Sequence, residues 1–365
     1  MKKVLVFILK LLLVLLIILG LSLSLSYRSD INPEILIEKY ANESSYFINV
    51  DGINMHVNVR GEGEPIFLIH GSFSSLHTWE EWVNELSPYF MTISMDLPGH
   101  GLTGPDVQQR YGVEAYADLL FTLADHLGVD KFHIAGNSMG GAVALRMASV
   151  NSDRILTLNL INSSGAPNPA ASKTKTKSSN SSKAPIFQLA SHPIFSKILL
   201  KCTPKFLFKM NMNQVYYDSK KIEDGNLTRY YELMRREGNR RATLERLTNK
   251  RPLRIDFEKI DMPVLIIWGR EDNWIPLANG ERLAAAIPGS KFKVFDSVGH
   301  VPMEEMPTET VLEYLSFLGI QSDIDYFSPP KYYSHAFRKS DLSHFTSSNS
   351  SAYLFDLQVT PEESY

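Results

Sequence analysis

Apolar and polar positions change rhythm several times along this 365-residue chain. Val4 to Ser26 is an almost unbroken apolar run, with Lys10 as its one charge and Lys2 and Lys3 ahead of it. About 20 apolar residues in a helix span a bilayer core, and a lysine near one end can snorkel to the head groups. The run therefore predicts an N-terminal transmembrane helix. The flanking lysines place its start in the cytoplasm and the catalytic domain outside it, a single-pass topology. The alternative is a signal peptide cleaved near Ser24–Leu25–Ser26, a small-x-small triplet, which would leave a secreted or periplasmic protein. The run exceeds the ~7–15 apolar residues of a signal core, which favours an uncleaved anchor.

From Tyr46 the pattern shortens. Phe47–Val50, Asp51-Gly52 and Ile53–Val59 read as a hairpin, because Asp-Gly supplies the positive φ of a tight turn. Ile66–Ile69, Met91–Met95, Phe132–Ala135, Ile155–Ile161, Val264–Trp268 and Phe292–Phe295 are short apolar runs, as strands covered on both faces require. Helical stretches alternate with them; Val113–Leu127 has apolar residues at 113, 116, 119, 120, 123, 124 and 127, a helix-period stripe. Alternation of this kind predicts an α/β fold, a mostly parallel central sheet flanked by helices, with the hairpin adding antiparallel strands at one edge.

The alternation stops between Ser163 and Asp256. Pro167–Lys183 is rich in Ser, Lys, Asn and Ala and reads as a flexible linker. Helical segments over roughly Pro185–Met210 and Leu227–Thr248 follow, and the insertion is read as a helical cap over the sheet. The expected organisation is an anchor or signal segment over 1–28, a core over 46–162 and 256–319, the inserted cap over 163–255, and a poorly ordered Ser- and Tyr-rich tail over 320–365.

Composition sharpens this picture in two places. The whole chain is nearly neutral, net −3, which gives no hint of nucleic-acid binding. Yet Ser164 to Ile255 holds 19 Lys and Arg against 6 Asp and Glu, leaving 18 against 34 elsewhere, so a basic cap sits on an acidic body. Within it Pro193–Met212 interleaves Phe195, Leu199, Phe206 and Met210 with Lys197, Lys201, Lys205 and Lys209. That face either packs over the site or touches an anionic membrane. The lone Cys202 excludes an intrachain disulfide and a zinc ribbon.

The strongest chemical signal is Gly136-Asn137-Ser138-Met139-Gly140-Gly141, after one apolar strand and before the helix-forming run Ala142–Ala148. A strand–G-x-S-x-G–helix context is what a nucleophile elbow requires, so Ser138 is the candidate nucleophile. The turn aims the Met139 N–H at a developing oxyanion. Of ten histidines, His300 lies in Ser297-Val298-Gly299-His300-Val301-Pro302 after the last strand, at the carboxyl edge where open α/β sheets bind ligands. It is the candidate base; His126 falls on a helix, His133 inside a strand, and His70 reads as a turn residue. The loop after Val264–Trp268 carries Glu271 and Asp272, with Asp272 the candidate carboxylate that orients the base. Ser72, in His70-Gly71-Ser72-Phe73, is the candidate second oxyanion donor through its backbone N–H. Gly61-Glu62-Gly63 lacks the rest of a dinucleotide fingerprint, and no P-loop or H-E-x-x-H occurs, so no metal and no organic cofactor is expected.

His70-Gly71-Ser72, Asp96-Leu97-Pro98-Gly99-His100-Gly101, the Ser138 elbow, the Asp272 loop and Gly299-His300 together resemble the α/β-hydrolase superfamily with an inserted cap, over about Phe47 to Leu318. The resemblance implies acyl transfer through an acyl-enzyme, and Asp272 is the acid its loop spacing favours. The superfamily spans esterases, lipases, carbon–carbon bond hydrolases and cofactor-free haloperoxidases. The Gly-Asn-Ser-Met-Gly-Gly elbow is similar to that of ring-cleavage-product hydrolases, but those carry Trp after the histidine where this chain has Val301. The expectation is a membrane-tethered serine hydrolase of carboxylic, including lipid-like, esters. A carbon–carbon hydrolase or haloperoxidase is the enzymatic alternative, and a catalytically silent binding protein the non-enzymatic one.

Overall fold

The structure, a computed structural model, describes residues 2–167, 196, 200–248 and 253–320. The expected linker from 168 onward, much of the first expected cap helix and the expected loose tail from 321 lie outside the described residues.

Eight strands form one sheet: β1 (Ser45–Val50), β2 (Ile53–Arg60), β3 (Pro65–Ile69), β4 (Met91–Met95), β5 (Phe132–Asn137), β6 (Ile155–Ile161), β7 (Val264–Gly269) and β8 (Lys291–Phe295). Their order is β1-β2-β4-β3-β5-β6-β7-β8. β1 pairs with β2, and β2 with β4, antiparallel; every other pairing is parallel. The expected hairpin is present, with Asp51 and Gly52 both at positive φ, 48° and 84°. β4, β5 and β7 are buried at every position, the pattern of strands covered on both faces.

Successive side chains of a strand point to opposite faces, and here each face has its own core. Phe67, Ile69, Ile93, Met95 and Ile134 pack with Tyr116, Leu120 and Leu123 of α4 (Val113–His126) and with Val143 and Met147 of α5 (Met139–Val150). Ile66, Leu68, Leu265 and Ile267 point the other way, onto Trp82 of α3 (Glu80–Leu86) and Tyr314 of the C-terminal helix Pro307–Phe317. Trp82 and Tyr314 stack with ring centroids 5.4 Å apart.

At the N-terminus α1 (Lys2–Ser26) is a 25-residue helix whose described side chains are largely exposed. At 1.5 Å per residue it is roughly 37 Å long, enough for a bilayer core of about 30 Å. The chain then zips onto the cap. Tyr27 bridges Cys202, and the Arg28 amide donates to the Lys201 carbonyl at 2.7 Å. The Ile31 amide donates to Arg235 O at 2.8 Å, and Ile31 O accepts from the Glu237 amide. Asp30 accepts from Arg240 and Lys201 at 2.5 and 2.8 Å. α2 (Pro33–Tyr40), capped by Asn32, leads from there to β1.

The described cap has three helices, α6 (Lys205–Val215), α7 (Asp224–Met234) and α8 (Asn239–Thr248). Both expected helical spans are broken. The first is interrupted at Cys202–Pro204, because Pro204 has no amide proton to continue a helix and serves as the cap of α6. The second breaks at Arg235–Gly238, where Gly238 has φ 87° and a side chain there would run into Pro105.

Gly269, at the end of β7, sits so close to the Val298 and Gly299 carbonyls that a methyl group has no room. We expect Gly269→Ala to wedge the β7 and β8 loops apart, costing about 1–3 kcal/mol of stability. Gly225, inside α7 with open space around it, should instead gain about 0.5–1 kcal/mol as alanine. Denaturant titration of the two variants checks the contrast.

Candidate active site

The carboxyl ends of β3, β5, β6, β7 and β8 carry the loops that meet here. Between β5 and α5 the chain reverses within one residue. Ser138 takes φ 54°, ψ −116°, a region that costs a non-glycine residue about 1–3 kcal/mol. The turn closes only because its neighbours lack side chains. A Cβ on Gly136 would strike Gly140, one on Gly140 would strike the Ile69 carbonyl, and one on Gly141 would strike the Ser163 hydroxyl. Backbone bonds pin the strained residue: Ser138 N donates to Ile161 O at 3.0 Å, and Ser138 O accepts from Ser164 N at 2.9 Å.

The other expected residues converge on this point. His300 Nδ1 lies 2.7 Å from Asp272 Oδ2. Asp272 is buried, 5% exposed, and His300 is 4% exposed. Asp272 Oδ1 accepts from the Trp274 and Ile275 amides at 2.7 and 2.9 Å, so a carboxylate with four acceptor sites is nearly saturated in one orientation. The Trp274 ring lies 5.4 Å from the His300 ring. Glu271 is separate from this pair and accepts from the Val298 amide. Ser72 adjoins the elbow, its hydroxyl 3.5 Å from Met139 Sδ, and a Cβ on Gly71 would sit 3.1 Å from that of Ser138. Among the described residues, neither the Ser138 hydroxyl nor His300 Nε2 has a hydrogen-bond partner.

Several organising residues escaped the sequence reading. Asn162, at φ 43° after β6, donates to Asp272 Oδ2 at 2.6 Å and to Gly299 O at 3.2 Å, while its own carbonyl accepts from Gly269 N at 3.0 Å. One amide thus ties together the acid, its strand and the histidine loop. Asn137 spends both amide protons on the Ile161 and His300 carbonyls. His70 is more than a turn residue. Its Nδ1 meets the Gly71 carbonyl at 2.7 Å, so that nitrogen carries the proton, and its Nε2 accepts from the Leu97 amide at 3.0 Å. Both bonds require a neutral ring, and burial pushes its pKa below the ordinary histidine value. His70 thereby fixes the loop that presents Ser72. A second buried pair, His56 Nδ1 to Asp96 Oδ2 at 2.7 Å, organises the Asp96–Gly101 motif, with Asp96 also accepting from the Leu76 and Leu102 amides.

The cap is fastened to the histidine loop. The His300 amide donates to Val215 O at 2.7 Å. Glu305 accepts from the Gly299 and Tyr217 amides, both at 2.8 Å, and its carbonyl accepts from Lys221. Glu304 accepts from the hydroxyls of Thr78, Tyr216 and Tyr230. Two neighbouring glutamates therefore join cap, oxyanion-side loop and His300 segment. Among the described residues no cluster of three or more His, Cys, Asp or Glu forms a metal site.

A family model described as alpha/beta hydrolase fold matches residues 64–307. The chain belongs to the α/β-hydrolase fold family. It is 30% identical, over 68% of its length and 85% of the relative's, to a 2-hydroxy-6-oxononadienedioate/2-hydroxy-6-oxononatrienedioate hydrolase 2 of Pseudomonas putida. It is 26% identical, over 69% and 88%, to a 2-hydroxy-6-oxo-6-phenylhexa-2,4-dienoate hydrolase of Burkholderia cepacia. Among solved structures, a membrane phospholipase A described as a bacterial virulence factor matches with TM-score 0.64 and 23% identity, over 88% of this chain and all of that one. A thermophilic esterase of Thermogutta terrifontis matches at 0.61 and 24%, over 76% and 98%. The structural likenesses are likenesses of fold, and the related sequences are hydrolases. This α/β-hydrolase protein is accordingly a hydrolase.

Two outcomes follow from the site. Asn162→Ala removes a charge-assisted bond, each worth about 1.5–3 kcal/mol. We expect kcat/KM to fall about 10- to 100-fold in the folded variant, and steady-state kinetics with a p-nitrophenyl ester measure it. Burial pushes the Glu305 carboxyl up to about 7, against the pull of its backbone donors. A carboxyl whose folded value is raised holds its proton more tightly folded than unfolded. Its contribution is full below the unfolded value near 4.3 and is lost as pH rises toward 7. Glu305→Gln should flatten the fall in melting temperature across that window, as a pH series of thermal melts would show.

Proposed function

We propose that this α/β-hydrolase is a membrane-tethered serine hydrolase of carboxylic esters with lipid-like acyl chains. In this reading His300 takes the Ser138 proton as the hydroxyl attacks the ester carbonyl. The backbone N–H groups of Met139 and Ser72 receive the oxyanion, each such donor being worth about 3 kcal/mol of barrier. Asp272 holds the imidazole with Nδ1 protonated and stabilises the imidazolium. His300 then returns the proton to the leaving alcohol, and water activated by the same imidazole cleaves the acyl-enzyme.

The observation that carries the lipid part is the fastening of α1 to the cap. An apolar helix long enough to cross a bilayer leads directly into Tyr27–Ile31, which pairs with the cap just before α6 and at the turn between α7 and α8. A few residues beyond that contact, α6 exposes Phe206, Leu207 and Met210, at 62%, 50% and 57%, beside the exposed Lys205 and Lys209. Basic residues around an exposed apolar patch suit an anionic membrane surface. With Lys2 and Lys3 in the cytoplasm, this domain works outside it. The structural neighbour described as a membrane phospholipase A is consistent with such a role.

A second reading, hydrolysis of a carbon–carbon bond in a dienoate, is favoured by the sequence relatives. Esters differ from these substrates in needing no carbon protonation before the acyl group leaves. A panel of p-nitrophenyl esters run beside a 2-hydroxy-6-oxo-dienoate separates the two. We expect kcat/KM to rise with chain length, by up to about fourfold per added CH2 while the chain finds apolar wall, and the dienoate to turn over more slowly. Turnover of the dienoate alone would contradict the ester reading.

A further inference from the structure

Three arginines of the described cap pair with a carboxylate: Arg229 with Glu80, Arg240 with Asp30 and Arg241 with Glu245. Arg246 does not. It lies on α8, one turn beyond Ala242, and the two share a helix face. Ala242 packs so closely on the Asp96–Gly101 loop that a Cβ on Gly99 would sit 2.9 Å from its methyl group. The same face brings the Arg246 guanidinium over the Phe73 ring, 5.9 Å from its centroid. Phe73 follows Ser72 at φ 62°, so the cation sits on the proposed oxyanion loop. Nε and Nη2 of Arg246 are both cut off from solvent, and neither has a hydrogen-bond partner among the described residues.

An unpaired guanidinium in such a place is costly, because two of its donors have left water without compensation. Burial, unopposed by any carboxylate, pulls its pKa below the ordinary arginine value. Its neighbour His100 is in the same condition. Nδ1 of His100 faces the Pro98 carbonyl at 3.3 Å and so carries the proton, leaving Nε2 as a buried acceptor without a donor. Burial, with the positive Arg246 nearby, keeps that ring neutral. Two unspent donor nitrogens on α8 and one unspent acceptor on the Asp96–Gly101 loop therefore stand beside the proposed oxyanion loop.

We propose that Arg246 is the receptor for an anionic group on the substrate, a phosphate or a carboxylate, held beside the ester carbonyl. A planar guanidinium donates two parallel bonds to either anion, and the match is tightest where water is excluded. His100 Nε2 can accept from a hydroxyl on the same group. The inference deepens the serine-hydrolase reading and rests on it only for the position of the ester. Its prediction is selectivity for esters that carry a negative charge close to the scissile bond.

The test measures binding without chemistry. The full chain carrying Ser138→Ala, in phosphatidylcholine nanodiscs, is titrated with octyl phosphate, octanoate and neutral octyl glucoside. We expect an anion to bind about 10- to 100-fold more tightly than the glucoside, the range expected of a charge-assisted pair; whichever of phosphate and carboxylate binds better identifies the class. Adding Arg246→Gln should abolish that preference, Arg246→Lys should keep part of it, and Lys259→Gln, at an exposed lysine outside the cap, should leave it within about twofold. If Arg246→Gln does not fold, the lysine variant and protection of the Ser138→Ala melting temperature by each anion carry the test. Equal binding of all three probes, an anion preference that survives Arg246→Gln, or an equal loss in Lys259→Gln would each overturn the proposal. Because Ser138 is absent throughout, failure here leaves the ester reading standing, and failure of wild-type ester turnover leaves this result interpretable.

Discussion

A serine held at φ 54°, ψ −116° between a strand and a helix is the constraint on which the remaining site depends. Left-handed backbone at a residue with a Cβ is unfavourable by about 1–3 kcal/mol, and it persists only if the surroundings over-determine it. They do so with Gly136, Gly140 and Gly141, which remove every Cβ that would keep the strand, the helix and the neighbouring β3 and β6 ends apart. The result places the start of α5 against the Gly71–Phe73 loop. In the proposed mechanism the Met139 and Ser72 amides at this junction receive the developing negative charge.

Around that turn, polar side chains do the work of covalent cross-links. Asn162 joins the ends of β6 and β7 to the His300 loop. His70 joins the ends of β3 and β4. Glu304 and Glu305 join the cap to both sides of the site. Each is largely withdrawn from water and nearly saturated with partners, the condition under which buried polar groups hold position instead of costing stability. Arg246 and His100 break this rule, and that is why they attract a functional explanation where the paired arginines of the same cap do not.

The elements that position chemistry were legible in the sequence because their signals are local. A G-x-S-x-G between an apolar strand and a helical run marks Ser138, and loops that follow apolar strands mark Asp272 and His300 without reference to distant residues. Sheet alternation followed from the same short-range pattern. What escaped notice acts at long range. Asn162 reaches a residue 110 positions away, and nothing in Asn162-Ser163-Ser164 distinguishes a carboxylate clamp from an ordinary loop amide. Glu304 and Glu305 look like surface charges at the start of a helix. The helix breaks at Pro204 and Gly238 had plain signals in the residues themselves, but each lies inside a longer stretch read as one helical segment.

The central claim is that Ser138 is an activated nucleophile in this setting, and covalent labelling reads it directly. Full-length protein is exposed to a fluorophosphonate, digested, and the modified residue located by mass spectrometry. The account predicts a single adduct on Ser138, lost on unfolding and strongly slowed in His300→Ala. An unlabelled Ser138 in folded protein, or an adduct on another serine, would contradict it.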